Sequence, residues 1–455
     1  MSIFDTRTAV VAGPAIAAAM RLTPLHKIET LAKQRGMLKK WTLARNSLSS
    51  NYTAERKNIE EFQLGRLQFV VDWAFENCLF YRELYSSAGY ELGAIRDIKD
   101  FECLPLITKD DLIEGFPRRI VSSKHDLSKL RWMSTSGSSG KQVQMVFSEG
   151  RTDLDTLFRL RMFEVQLGES LRPDEWIYNI NFVPLWYSSF CGHHPVLSIK
   201  PECNSEDLAA HIKLLRPKLI SCIGSYLDIV GSCGDVLRDA GVKLISTNSE
   251  FTSSRGRMEL EKELGVSVLD EYSSEELNII AFECPFHEYH VSEDDVYVEI
   301  VGSDDRGRVV GTDLWNTAMP IIRYDQGDLA EFCYSNEKCA CGSYYRRLNS
   351  LHGRADQNFI AQDGRTIRSA VLLDVVEQCF CIEPLFLKEF RVVQSSLSSV
   401  KVLFVPIQTI PQGFFDKFEV IMVSLFGHVL SFDYITMPSI PKSASYKRRT
   451  FICEV

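Results

Sequence analysis

Between Trp176 and Leu269 the chain alternates two patterns. Short apolar runs (WIYNINFV, KLISCIG, VKLIST, VSVLD) are separated by stretches of helical periodicity such as SEDLAAHIKLLR and SSRGRMELEKELG. A strand that reads as a continuous apolar run is buried on both faces, and parallel neighbours need a crossover between them, usually a helix. The expectation is therefore an α/β layered domain with largely parallel strands. Beyond Tyr289 the pattern changes. HVSEDDVYVEIVG, RGRVVGTDLW and MPIIRYDQGDLAEF read as strands separated by glycine and aspartate turns, which predicts a β-rich subdomain.

The flanking regions follow the same logic. Ala54 to Gly89 carries apolar residues at three-to-four spacing and stops at a glycine, predicting one or two amphipathic helices, and Thr108 is placed to cap a helix with an acidic first turn. After LHGRADQNFI, the stretch QDGRTIRSAVLLDVVEQCF reads as a turn and a helix, and FRVVQSSLSSVKVLFVPI as a hairpin. The expected organisation is an N-terminal arm over residues 1–60, a large domain over 61–353 and a small α+β domain over 354–455. Two domains suit 455 residues with 45 % hydrophobic content.

Charge and cysteine content narrow the partners. A net charge of −9 leaves no basic excess to neutralise a phosphate backbone, which argues against nucleic acid and favours small molecules or other proteins. Thirteen scattered cysteines in a chain of this length predict a reducing, cytoplasmic setting. AVVAGPAIAAAM, Ala9 to Met20, is too short to span a membrane and is broken by Gly13-Pro14. Oligomeric state, including a homodimer, is left open.

STSGSSGKQ, Ser134 to Gln142, offers backbone N–H groups, hydroxyls and one cation, the chemistry a polyphosphate needs. It departs from the Walker pattern, since no Ser or Thr follows Lys141. A flexible linker would read the same way.

A second constellation is metal-like. Cys284 and His290 in ECPFHEYH, with Cys339 and Cys341 in KCACG, offer three thiolates and one imidazole, a set suited to tetrahedral structural Zn²⁺. His287 and Cys333 are nearby spares, and buried unpaired cysteines are the alternative.

The loop keeps informative company. STSGSSGKQ resembles the phosphate loop of the adenylate-forming (acyl-CoA synthetase) superfamily, and further segments match that pattern in order. DEYSSEE resembles its tyrosine-to-glutamate motif, IIRYDQGDL its ribose-binding aspartate motif, LHGRADQ its hinge and IPKSASYKRR its C-terminal lysine loop. Glu76 to Leu112 is similar to the start of the phenylacetate-CoA ligase-like group, which includes ligase-like proteins of capsular polysaccharide clusters. That group also resembles the present chain in its cysteine and histidine ligand pattern. The first sixty residues are not covered by the resemblance.

The resemblance implies an enzyme that activates a carboxylic acid with Mg-ATP, releases pyrophosphate and passes the acyl group to coenzyme A. An aryl or other apolar acid is favoured. An amine or hydroxyl acceptor, or a non-catalytic nucleotide-binding relative, is the alternative. By the same resemblance Thr135, Ser136, Gly137, Ser138, Ser139, Gly140 and Lys141 hold phosphates, and Tyr272, Ser273, Ser274 and Glu275 line the nucleotide. Glu276 holds Mg²⁺, Asp328 takes the ribose hydroxyls, and Arg354 adds charge. Asp356 is the hinge. Lys447 bridges the acid and α-phosphate, with Lys442 the alternative. Ser273 and Tyr446 stand where the family has glycine. Ile180 to Val196 and Cys222 to Val230 fall where the acyl pocket is built, His193 and His194 included, although these stretches also read as strand core.

Overall fold

The computed structural model describes residues 30–134, 143–185, 187–250, 252, 254–302, 306–333, 335, 337–354, 359–367, 372, 375–376, 379–380, 386–438, 440 and 451–455. Two long helices, α1 (Leu31–Tyr52) and α2 (Arg56–Asn77), begin this part of the chain, and a shorter helix, Leu79–Ser87, follows. Thr108 caps the helix Lys109–Gly115 in a reciprocal capping box with Asp111, a device worth about 1 kcal/mol.

A hairpin of β1 (Arg131–Ser134) and β2 (Gln144–Phe147) leads into α3 (Glu149–Leu167). Then comes the alternation read from the sequence: β3 (Ile177–Ile180), β4 (Val196–Ile199), α4 (Ser205–Leu215), β5 (Leu219–Ile223), β6 (Leu244–Asn248), α5 (Ser254–Leu264) and β7 (Ser267–Ser274). These strands pair in parallel, in the order β4-β3-β5-β6-β7. All of β3 to β6 is buried, which is why the runs show no polar alternation.

At β7 the sheet changes character. β8 (Asn278–Glu283), β9 (Tyr289–Val291), β10 (Val296–Val301), β11 (Arg306–Asp313), β12 (Tyr324–Phe332) and β13 (Arg347–Arg354) extend it antiparallel, and the eleven strands run β10-β11-β12-β13-β9-β8-β7-β6-β5-β3-β4. Strand β7 thus belongs to both halves, and its C-terminal end lies where the two meet.

From Phe359 onward the chain builds its own core. β14 (Phe359–Ile360) pairs with β15 (Thr366–Ile367), and β16 (Leu387–Ser396), β17 (Ser399–Pro406), β18 (Ser431–Thr436) and β19 (Phe451–Cys453) form a sheet ordered β18-β17-β16-β19. Helix α6 (Gln412–Phe426) packs on it through Phe418, Met422 and Phe426, and this core contains only residues from Phe359 on.

The described part of the first sixty residues is not a loose appendage. Met37, Trp41, Leu48 and Tyr52 of α1 share a core with Phe158, Phe163 and Phe190, and Lys40 and Arg45 pair with Asp153 and Glu164 of α3. The apolar run Ala9 to Met20 lies outside the described residues. No described helix is long and apolar enough to cross a membrane.

Candidate active site and metal centre

Along the end of β7 and the turn after it, every second residue points the same way. Tyr272 donates its hydroxyl to Asp328 Oδ2 (2.6 Å), Gln326 Nε2 donates to Ser274 Oγ (2.7 Å), and Tyr324 donates its hydroxyl to Glu276 Oε1 (3.3 Å). Residues 272, 274 and 276 thus meet 328, 326 and 324 as three rungs. In the sheet β7 and β12 are separated by β8, β9 and β13, so the rungs require the antiparallel half to curl back over the end of β7.

Glu276 is 8 % exposed, and its second carboxylate oxygen has no hydrogen-bond partner among the described residues. A buried carboxylate with one oxygen uncommitted fits a hard divalent cation that also takes phosphate oxygens. Glu275 is exposed and Ser273 half-buried. Asp328 stands opposite Arg354 in the β12/β13 register, placing the hinge-motif arginine on the strand beside the expected ribose aspartate.

The turn carrying Glu276 is fixed from below. Asn278, at φ +60°, adopts a left-handed conformation that asparagine tolerates, and its Nδ2 donates to Asp155 Oδ1 (3.1 Å) and Asp295 Oδ2 (3.3 Å). Leu277 packs so tightly on Gly311 that a Cβ there would lie 2.0 Å from Leu277 Cδ1. Asp155, Asp295 and Asp313 all pair with the buried Arg151, two at 2.9 and 3.1 Å. Burial pushes the Asp155 carboxyl up to about 6 against the pull of Arg151, and Asp295 is raised well above the usual range for the same reason. Arg159 holds Glu271 in β7. These side chains join α3, the helix after the β1/β2 hairpin, to the Glu276 turn.

The sequence reading did not single out Arg151, Asp155, Tyr324 or Gln326. Tyr324 and Gln326 lie within RYDQGDL, where alternation with Asp328 was the available signal. For Arg151 and Asp155 their four-residue spacing was the only local one.

Several expected residues lie outside the described residues: Thr135, Ser136, Gly137, Ser138, Ser139, Gly140, Lys141, Asp356, Lys442, Lys447 and the side chain of Arg354. What is described of the phosphate loop is its base, where Ser134 pairs with Gln144.

The expected metal ligands converge. One donor atom each from Cys284, His290, Cys339 and Cys341 lie within 4.8 Å of one another, although the pairs are separated by about fifty residues of chain. Cys284 Sγ is 3.9 Å from Cys339 Sγ, and Cys341 Sγ is 3.4 Å from His290 Nε2. The Cys341 thiol is pulled down to about 3, first by the hydrogen bond from Cys284, then by His290 and Tyr52, while the Cys284 thiol is raised. His290 Nδ1 faces the Tyr345 carbonyl at 3.3 Å, the outer contact that orients a ligating imidazole. Three sulfurs and one nitrogen, mostly buried, fit a structural zinc ion. The spares His287 and Cys333 are not in the cluster.

The expected acyl-pocket stretches are only partly core, with Asn181 to Leu185 half-buried or exposed. Ile180, Cys222, Ile223 and Val230 are buried in the parallel half, and His194, edge-on to Trp41, is pushed down to about 4 by burial. At the strand ends Asn181 Nδ2 donates to Asn248 Oδ1 (3.1 Å) and Asn248 Nδ2 to Ser221 Oγ (3.0 Å).

Comparison with known proteins agrees with the motif reading. No protein-family model matches the chain. It is similar to the phenylacetate-coenzyme A ligase of Thermus thermophilus, 26 % identical over 358 residues, covering 71 % of this chain and 77 % of that one. The Escherichia coli phenylacetate-coenzyme A ligase is 23 % identical over 348 residues (71 % and 78 %), and protein CapK of Staphylococcus aureus 23 % over 318 residues (61 % and 64 %). Among solved structures, 2-hydroxyisobutyryl-CoA ligase in the postadenylation state with 2-HIB-AMP superposes with a TM-score of 0.71 at 20 % identity, covering 89 % of this chain and 92 % of that one. The resemblance read from the motifs holds, and the α/β fold is the one these ligases share.

Proposed function

We propose that the chain is an ATP-dependent acid-coenzyme A ligase, resident in a reducing cytoplasm where its cysteines stay free to hold metal. The observation that carries this reading is the three-rung contact that sets Tyr272, Glu276 and Asp328 on one edge where the two halves of the sheet meet. A scaffold without nucleotide chemistry has no physical reason to place a ribose acceptor, a cation-binding carboxylate and an aromatic ring side by side.

In the first half-reaction a carboxylate oxygen of the acid attacks the α-phosphorus of ATP, the bond to the β-phosphate oxygen breaks, and pyrophosphate leaves with the bonding pair. Asp328 holds the ribose hydroxyls, with Tyr272 fixing its carboxylate and lying against the base. Magnesium, when bound, supplies charge neutralisation for the phosphates, and Glu276 is the residue that holds it. The Thr135–Lys141 loop donates hydrogen bonds to the departing pyrophosphate, and Lys447 offsets charge between the acid and the α-phosphate.

In the second half-reaction the coenzyme A thiolate attacks the acyl carbonyl and AMP leaves. Rotation about Asp356 moves residues 354–455 between the two steps. Zinc at Cys284, His290, Cys339 and Cys341 is structural, since four protein ligands leave no open position. Mass spectrometry of reactions with Mg-ATP, coenzyme A and a panel of aryl, fatty and hydroxy acids tests the whole reading. An acyl-CoA and AMP in equal amounts are expected, and AMP with no thioester from any acid would overturn the assignment of the acceptor.

A further inference from the structure

Tyr52 is the last residue of α1, in the part of the chain that no sequence motif explains. It is 3 % exposed, and its hydroxyl lies 3.3 Å from Cys341 Sγ. Among the described residues it is the one side chain outside the four donors that hydrogen-bonds to their sulfurs. Its carbonyl, one of those a helix end leaves without an intrahelical partner, accepts a hydrogen bond from Ser343 Oγ (2.8 Å), two residues beyond Cys341. Its ring lies edge-on to His290 (5.8 Å) and Tyr345 (5.3 Å) and stacks on Phe282 (5.9 Å).

We infer that Tyr52 is a positioning residue of the metal centre, its hydroxyl donating to the Cys341 thiolate, and that metal occupancy fastens the C-terminal end of α1 to the large domain. The inference rests on reading the four residues as a zinc site. Three thiolates and a neutral imidazole around a dication leave one net negative charge in a buried place. Such a charge calls for a donor, and outer hydrogen bonds of this kind tune affinity. Backbone N–H groups of Phe286 and Glu288 act on Cys284 and that of Cys341 on Cys339. Arg161, 6.0 Å from the Tyr52 ring, pairs with Asp294 (2.9 Å), and the side chain placed on Cys341 Sγ from outside the four donors is the Tyr52 phenol. The contact works in both directions. The phenol steadies the thiolate, and an ordered Cys339–Ser343 turn gives the helix end both its hydroxyl partner and its carbonyl partner.

The test uses the full-length protein purified with zinc. Tyr52→Phe keeps the ring and removes the donor, and Ser343→Ala removes the carbonyl anchor while leaving the phenol. Metal content is measured by mass spectrometry, release to a chromogenic chelator gives the rate, and hydrogen exchange reports residues 45–52. One zinc per wild-type chain is expected, with release about tenfold faster in Tyr52→Phe. Ser343→Ala should leave release within about twofold of wild type. Chelation of the wild type should deprotect 45–52 while leaving α6 unchanged, and this arm does not depend on either variant folding. Wild-type release kinetics in a folded Tyr52→Phe, or unchanged protection of 45–52 after chelation, would overturn the inference while the zinc site stands. A wild type that binds no metal would instead overturn the zinc reading, and this inference with it.

Discussion

The hydroxyl of Tyr272 donates to Asp328 across strands that are not neighbours in the sheet, at 2.6 Å. On the proposed reading Asp328 accepts two ribose hydroxyls, which requires its carboxylate to be held in one rotamer, and this contact holds it. Tyr272→Phe removes a hydrogen bond to a charged group, worth about 1.5–3 kcal/mol and hence roughly 10- to 100-fold in an equilibrium. The expected result is a KM for ATP raised by about tenfold with kcat within about threefold. An unchanged KM would separate Asp328 from ribose binding.

Glu276 has a different role and a different expected signature. Glu276→Gln keeps the acceptor for Tyr324 but loses the charge. Acid-dependent pyrophosphate release should fall by about 10²- to 10³-fold in kcat, with a higher magnesium requirement. Binding of ATP without magnesium, read by thermal stabilisation, should stay near wild type.

The C-terminal lysines are separable by the same logic. Lys447→Ala should slow adenylation by roughly 10²-fold or more with ATP affinity nearly intact, because its charge is needed only as the acyl-phosphate bond forms. Lys442→Ala should stay close to wild type. The reverse ranking would transfer the role to Lys442.

Buried carboxylates around Arg151 give the fold a pH signature. Asp155 faces Arg151, Arg159, Arg131 and Asp313, and burial raises it from the ordinary 3.8 to about 6. The folded state therefore binds a proton that the unfolded chain releases within that window. The stabilisation is full below about 3.8 and is lost as pH rises through about 6. Urea unfolding across this range should show wild type losing stability relative to Asp155→Asn as pH rises, and a relative gain would contradict the assignment. Removing Arg151 instead, as Arg151→Met, leaves uncompensated buried carboxylates and should cost about 3–5 kcal/mol at neutral pH.

Much of this was legible in the sequence, for identifiable reasons. The parallel strands are continuous apolar runs, so β5, β6 and β7 could be read directly, and the candidate metal ligands lie in two local pairs whose chemistry survives without knowing their distance. Helix α3 was missed because Arg151, Asp155, Arg159 and Arg161 look like a solvated charged face. Their partners Asp313, Asp295, Glu271 and Asp294 lie more than a hundred residues away, and only folding joins them. Tyr52 was silent for the same reason. A tyrosine at the end of a polar helix carries no local sign that a cysteine turn closes on it.

The most direct test of the central claim is pyrophosphate release from Mg-ATP by the purified protein across aryl, fatty and hydroxy acids, each with and without coenzyme A. The account predicts release that depends on one class of acid, rises further with coenzyme A and falls by about 10²- to 10³-fold in Glu276→Gln. A protein stabilised by ATP that releases no pyrophosphate with any acid would contradict it and leave a nucleotide-binding scaffold in its place.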